Sequence, residues 1–114
     1  MMKITETKRG KAVVFTLEGR LDSTTSLDLE KNIFEAINDG AVYVILDCSN
    51  LEYISSAGIR VLIRFHKELE KLQGKIILVA IPKPIENILY ITGFLNYLQV
   101  YEDVEKALAS FPHA

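Results

Sequence analysis

The chain has 114 residues, a formal net charge of −2, 49% hydrophobic and 25% charged residues, and one cysteine. That balance belongs to a soluble globule with its own core. It excludes a general nucleic-acid binder, which needs a basic excess, and an internal disulfide, which needs a second thiol. No run approaches the ~20 apolar residues of a membrane span, and Met1-Met2-Lys3-Ile4-Thr5-Glu6 turns polar too soon for a signal peptide. A lone thiol suits a reducing compartment, so a single cytoplasmic domain over residues 1–114 is expected, with no membrane insertion.

Ile4 to Lys8 is a short strand candidate, Arg9-Gly10-Lys11 a hairpin turn, and Ala12 to Glu18 a second strand. Gly19-Arg20-Leu21-Asp22 then leaves the strand, and Ser23-Thr24-Thr25-Ser26 offers several N-caps. The helix that follows places Leu27, Leu29, Ile33, Phe34 and Ile37 on one broad face and stops at Gly40. Val42 to Leu46 is apolar without alternation, the mark of a strand covered on both faces. A polar loop from Asp47 leads to the longest helix, Ser56 to about Leu72, whose apolar side carries Leu62, Phe65, Leu69 and Leu72 and which Gly74 closes. Lys75 to Ala80 is another doubly covered strand. Pro84 suits the first turn of a third helix running through Ile85, Ile88, Leu89 and Ile91 to Gly93. Leu98 to Tyr101 is a short last strand, and Asp103 caps a closing helix, Val104 to Ser110.

This order predicts an α/β fold. The sheet is mixed and mostly parallel, of roughly four to five strands with about four helices and an N-terminal antiparallel hairpin. Sites in such sheets collect at the carboxyl ends of strands, which puts Asp22 and the loop from Asp47 to Ser56 on one rim.

Enzyme chemistry finds little support there. A serine at a helix start suits a nucleophile elbow, but Ile54 stands where Gly-x-Ser-x-Gly needs its first glycine. His66 lies ten residues along the helix from Ser56, roughly 15 Å at 1.5 Å per residue, and His113 is next to last. One cysteine and two scattered histidines have no zinc spacing, and no glycine-rich phosphate loop occurs. Magnesium held by Asp22 and Asp47 is a weaker reading than turn and cap duty for both. No catalytic residue, cofactor or metal is expected.

Ser56 itself has two readings. Composition alone favours a plain N-cap. The other reading is a phosphoacceptor, because Ala57 and Gly58 leave room for another protein to approach. Gly58 costs about 1 kcal/mol in a helix, which either a function or a tight helix–sheet contact has to justify. A phosphate adds about −1.5 to −2 charges, is welcome at a helix N-terminus by roughly 0.3–1 kcal/mol, and is unwelcome against an apposed surface. Along the same helix Arg60, Arg64, Lys67 and Lys71 form a basic stripe. It is either a solvated face or, through Arg60 and Arg64, a surface for an acidic partner.

The run Asp47-Cys48-Ser49-Asn50-Leu51-Glu52-Tyr53-Ile54-Ser55-Ser56-Ala57-Gly58-Ile59 strongly resembles the signature of the STAS domain family, and within it the stand-alone anti-sigma factor antagonists of bacteria. Leu17-Glu18-Gly19-Arg20-Leu21-Asp22 is similar to the family's Gly-x-Leu-Asp before the first helix. The resemblance implies that Ser56 is the phosphoacceptor and that Asp22 lies beside it. Tyr53, Ser55, Ala57, Gly58, Ile59, Arg60 and Arg64 would then belong to the partner-binding face. It implies two partners. An anti-sigma factor that is also a serine kinase binds the unphosphorylated protein and frees its sigma factor, and a metal-dependent serine phosphatase resets the modified form. Two positions depart from the pattern: Ser55 stands where many members have aspartate, offering a second hydroxyl, and Cys48 replaces a common leucine. The second is bland, since buried cysteine behaves as a small hydrophobe. The alternative within the same fold is a constitutive docking subunit, for example of a lipid-transport ATPase, without a phospho-switch.

Overall fold

A computed structural model of the chain describes residues 2–111. β1 (Met2–Arg9) and β2 (Ala12–Leu21) form the expected antiparallel hairpin, turning at Gly10 with φ +62°. Then come α1 (Thr25–Asn38), β3 (Tyr43–Ile54), α2 (Ser56–Lys71), β4 (Lys75–Val79) and α3 (Lys83–Ile91). A 3₁₀ turn (Phe94–Asn96), β5 (Gln99–Tyr101) and α4 (Val104–Ala109) complete the order. The sheet runs β1-β2-β3-β4-β5, and every pair after the hairpin is parallel. Because strand order follows chain order, crossovers of one hand fall on one face. There α1, α2 and α3 pack, while α4 covers the other face.

The inner strands feed both layers, as their unbroken apolar runs predict. Phe15, Leu17, Val44, Leu46, Ile76 and Leu78 meet Leu29, Ile33, Leu62, Phe65, Leu69 and Leu89 of the three helices. Val14, Ile45, Ile77 and Val79 meet Ala107 and Phe111 behind them, where Tyr43 stacks on Phe111 with ring centroids 4.3 Å apart. No helix of the described residues is long and apolar enough to cross a membrane.

Three expectations need correction. First, the polar stretch after Leu46 is strand, not loop: Glu18 pairs with Asn50, Gly19 with Leu51, Arg20 with Tyr53 and Leu21 with Ile54. Register shifts between Thr16 and Glu18 and between Gly19 and Arg20 each leave an extra residue in β3. Such bulges re-phase a strand, which is why Cys48, Leu51 and Ile54 are all buried at a spacing of three.

Second, the apolar helix faces are narrower than predicted. The buried stripe of α1 is Leu29, Ile33 and Ala36, while Leu27 and Phe34 are 65% and 51% exposed. At 3.6 residues per turn they lie roughly 160° and 140° around the axis from Leu29. Leu72, Ile88 and Ile91 are exposed for a related reason, lying at the ends or on the outer side of α2 and α3.

Third, α1 ends on Gly40 in a left-handed conformation as expected, but at the end of α2 that conformation belongs to Gln73, with φ +62°. Gln73 N–H donates to the Glu70 carbonyl at 3.0 Å and Gly74 N–H to that of Leu69 at 2.7 Å, the paired bonds of a Schellman cap. Gly74 is needed for a different reason. A Cβ there would lie 1.9 Å from the Val42 carbonyl oxygen.

Candidate functional site

β2 and β3 finish side by side, since Leu21 is in register with Ile54. Ser55 N–H donates to the Leu21 carbonyl at 2.8 Å. The chain leaving β2 through Asp22 and the chain entering α2 through Ser55 and Ser56 therefore share one rim. Asp47 does not reach it. It pairs with Thr16 and Val79 in mid-strand, seven residues before Ile54 and on the order of 20 Å away at ~3.3 Å per residue. Its carboxylate accepts the N–H and hydroxyl of Ser49 at 3.0 and 2.8 Å. The expected single rim for both aspartates is thus corrected. Among the described residues no group of three or more His, Cys, Asp or Glu side chains is placed to hold a metal ion.

At the start of α2 the two serines have different tasks. Ser55 is the N-cap, with φ −93° and ψ 170°, and its Oγ accepts from Gly58 N–H at 3.2 Å. Ser56 is the first helical residue and is exposed. Among the described residues its hydroxyl has no hydrogen-bond partner. Cap duty, which composition alone assigns to Ser56, falls to its neighbour.

Gly58 is explained by packing. A Cβ would lie 2.8 Å from Leu21 Cγ and 3.1 Å from Ile54 Cγ1, so the first turn of α2 sits directly on the ends of both strands. Gly58→Ala should gain up to about 1 kcal/mol of helix propensity and lose about 1–3 kcal/mol to overpacking. A net loss in urea unfolding is expected, and a net gain would show that the contact relaxes. Gly58 and Ile59 are buried, so neither can line the partner-binding face expected of them. Ala57 is half-buried, and Tyr53, Ser56, Arg60 and Arg64 are exposed.

Asp22 anchors α1. Its Oδ1 accepts the N–H groups of Thr24 and Thr25, both at 3.0 Å. Thr25 Oγ1 accepts from Asp22 N–H at 2.9 Å and donates to the Arg20 carbonyl at 2.6 Å. Thr24, in the N-cap position, makes no side-chain cap bond, so none of the four hydroxyl residues does what Asp22 does.

A model of the STAS domain matches residues 3–107. The chain belongs to the STAS domain family. A Bordetella bronchiseptica relative, provisionally named anti-sigma factor antagonist BtrV, is 33% identical over 113 residues, covering 99% of this chain and 97% of the relative. A Thermotoga maritima crystal structure, provisionally an anti-sigma factor antagonist, has a TM-score of 0.87 at 20% identity and covers 93% and 92% of the two chains. SpoIIAA in its unphosphorylated form has a TM-score of 0.78 at 23% identity, covering 95% and 93%. The phosphorylated form of this Bacillus protein has a TM-score of 0.71 at 23% identity, covering 96% and 97%. These structural likenesses establish the fold of this STAS domain.

The charges of the STAS domain's rim follow from its hydrogen bonds. The Thr25 N–H, with help from Thr24, holds the Asp22 carboxyl below its usual 3.8. A lowered folded value means that Asp22 contributes stability in full above the ordinary carboxylate range and loses it as pH falls through the folded value. Asp22→Asn should therefore remove part of the acid-induced loss of stability below about pH 4, read from urea midpoints at several pH values.

Arg64 is committed within the fold, paired with Glu30 of α1. Arg60, the other arginine expected to meet a partner, has no carboxylate partner among the described residues. Sequence reasoning missed Arg20, whose guanidinium lies 4.2 Å from the centre of the Tyr53 ring. The pairing depends on the bulged register and has no signature in either strand alone. His66 is half-buried, with Nε2 4.0 Å from Glu70, and His113 lies outside the described residues. Cys48 is buried, and desolvation, reinforced by the charge of Asp47, pushes its thiol up to about 12.

Proposed function

We propose that this STAS domain is an anti-sigma factor antagonist switched by phosphorylation of Ser56. The observation that carries the reading is the exposed, unpartnered hydroxyl of Ser56 beside a Ser55 hydroxyl already used as a cap. Of the two serines, Ser56 is the one a kinase can modify without undoing the helix start. The name borne by the Bordetella relative supports the same reading, as does the existence of SpoIIAA in both phosphorylation states.

Unphosphorylated, the rim of Tyr53, Ser56, Ala57 and Arg60, with Asp22 and the Ser55 cap beside it, docks on an anti-sigma factor that is also a serine kinase. The sigma factor is released. Phosphate on Ser56 then places about −1.5 to −2 charges in a surface that the partner has covered, and the complex separates. A metal-dependent serine phosphatase restores the first state. The domain acts by binding in the cytoplasm and needs no catalytic residue or cofactor of its own.

The test is incubation with the cognate kinase and ATP, followed by peptide mass spectrometry. A phosphate on the peptide containing Ser56, lost in Ser56→Ala, is expected. An unmodified peptide, or modification of Ser55 alone, overturns the assignment.

A further inference from the structure

The four arginines of the chain fall into two classes. Arg9 pairs with Glu105 and Arg64 with Glu30. Arg20 and Arg60 have no carboxylate partner among the described residues, and both lie at the Ser56 end of the fold. Arg20 is laid on Tyr53. Arg60 is exposed on α2, four residues after Ser56.

That spacing brings the two residues to one helix face, with Cβ atoms about 5–6 Å apart. Long side chains on a helix lean back over the preceding turn, which for Arg60 is the turn that begins at Ser56. An anion placed before a cation at this spacing is the favourable order. The first turn of α2 holds no acidic residue, and the Asp22 carboxylate is occupied by Thr24 and Thr25.

We infer that Arg60 is the internal counter-ion of a phosphate on Ser56, and that modification closes a clasp between the two. The inference rests on Ser56 being the phosphoacceptor. In the transfer, Ser56 Oγ bonds to the γ-phosphorus of ATP as the bond from that phosphorus to the bridging oxygen breaks. ADP leaves, and the hydroxyl proton passes to a base on the kinase. The new phosphate oxygens accept from the Arg60 fork in charge-assisted bonds. Release then has two parts: the partner meets a dianion, and it loses the arginine that faced its acidic side chains.

The clasp can be tested without any kinase, on full-length protein made by semisynthesis with phosphoserine at position 56. Failure of a kinase to modify Ser56 would then count against the functional proposal and leave this result standing. The readout is the second ionisation of the phosphate, ordinarily near 6, followed by phosphorus NMR. It should lie about 0.3 pH unit or more lower with Arg60 present than in Arg60→Gln, and the difference should shrink with added salt. Arg60→Lys should keep part of it. Asp22 and Asp28 at the start of α1, Arg20 on β2 and Glu52 on β3 are common to all variants and cancel in the comparison. Arg64→Gln, which removes an arginine tied to Glu30, should leave the value unchanged. Equal values with and without Arg60, or an equal change in Arg64→Gln, overturn the clasp.

Discussion

Gly74→Ala is expected to destabilise the protein by about 3 kcal/mol or more and lower its Tm by about 10 °C or more. Gly→Ala at a compatible position usually stabilises by roughly 0.4–1 kcal/mol, through the unfolded chain. Here the added carbon would stand 1.9 Å from the Val42 carbonyl oxygen, less than any contact tolerates. Neither side can yield cheaply. The Val42 carbonyl accepts from Lys75 N–H at 2.9 Å, and directly beyond it Tyr43 pairs with Lys75 and Val44 with Ile76. Moving one backbone off the other parts β3 from β4, the two strands buried on both faces. Thermal and urea unfolding measure the loss, and a Tm within a few degrees of the parent would mean that the connection shifts freely.

Ser56→Asp is expected to cut affinity for the kinase by roughly 100- to 10,000-fold, the equivalent of the ~3–5 kcal/mol attached to a covered, unpaired charge. Stability should stay level or rise by about 0.3–1 kcal/mol, because the new carboxylate sits at the positive end of α2. The contrast is diagnostic, since a change that merely damaged the fold would lower both. Calorimetric titration against the kinase, with unfolding of the same sample, provides the two numbers. Undiminished affinity would point instead to a docking subunit without a switch.

Much of this architecture is legible along the chain. Val42 to Leu46 and the Lys75 run announce doubly covered strands because nothing polar interrupts them, and Gly10 and Gly40 mark turns that demand positive φ. What stays hidden depends on partners distant in sequence. The extra residues of β3 become apparent only against β2, so Asp47 to Ile54 read as a loop and Asp22 and Asp47 seemed neighbours. Two adjacent serines have the same propensity for a cap. The bond from Ser55 N–H to the Leu21 carbonyl chooses between them, and with it decides which hydroxyl is left free. The pairing of Arg64 is hidden because its counter-charge, Glu30, belongs to a helix 34 positions away in the chain. Gly58 was the opposite case: the helix–sheet contact that its cost implied is there.

The burial of Cys48 makes the thiol a stopwatch for breathing of the sheet. Burial raises the thiol's pKa far above the ordinary value, so the group stays un-ionised at pH 7 and is walled off from reagents. Alkylation has to wait for strands to part. Its rate counts openings of the central layer.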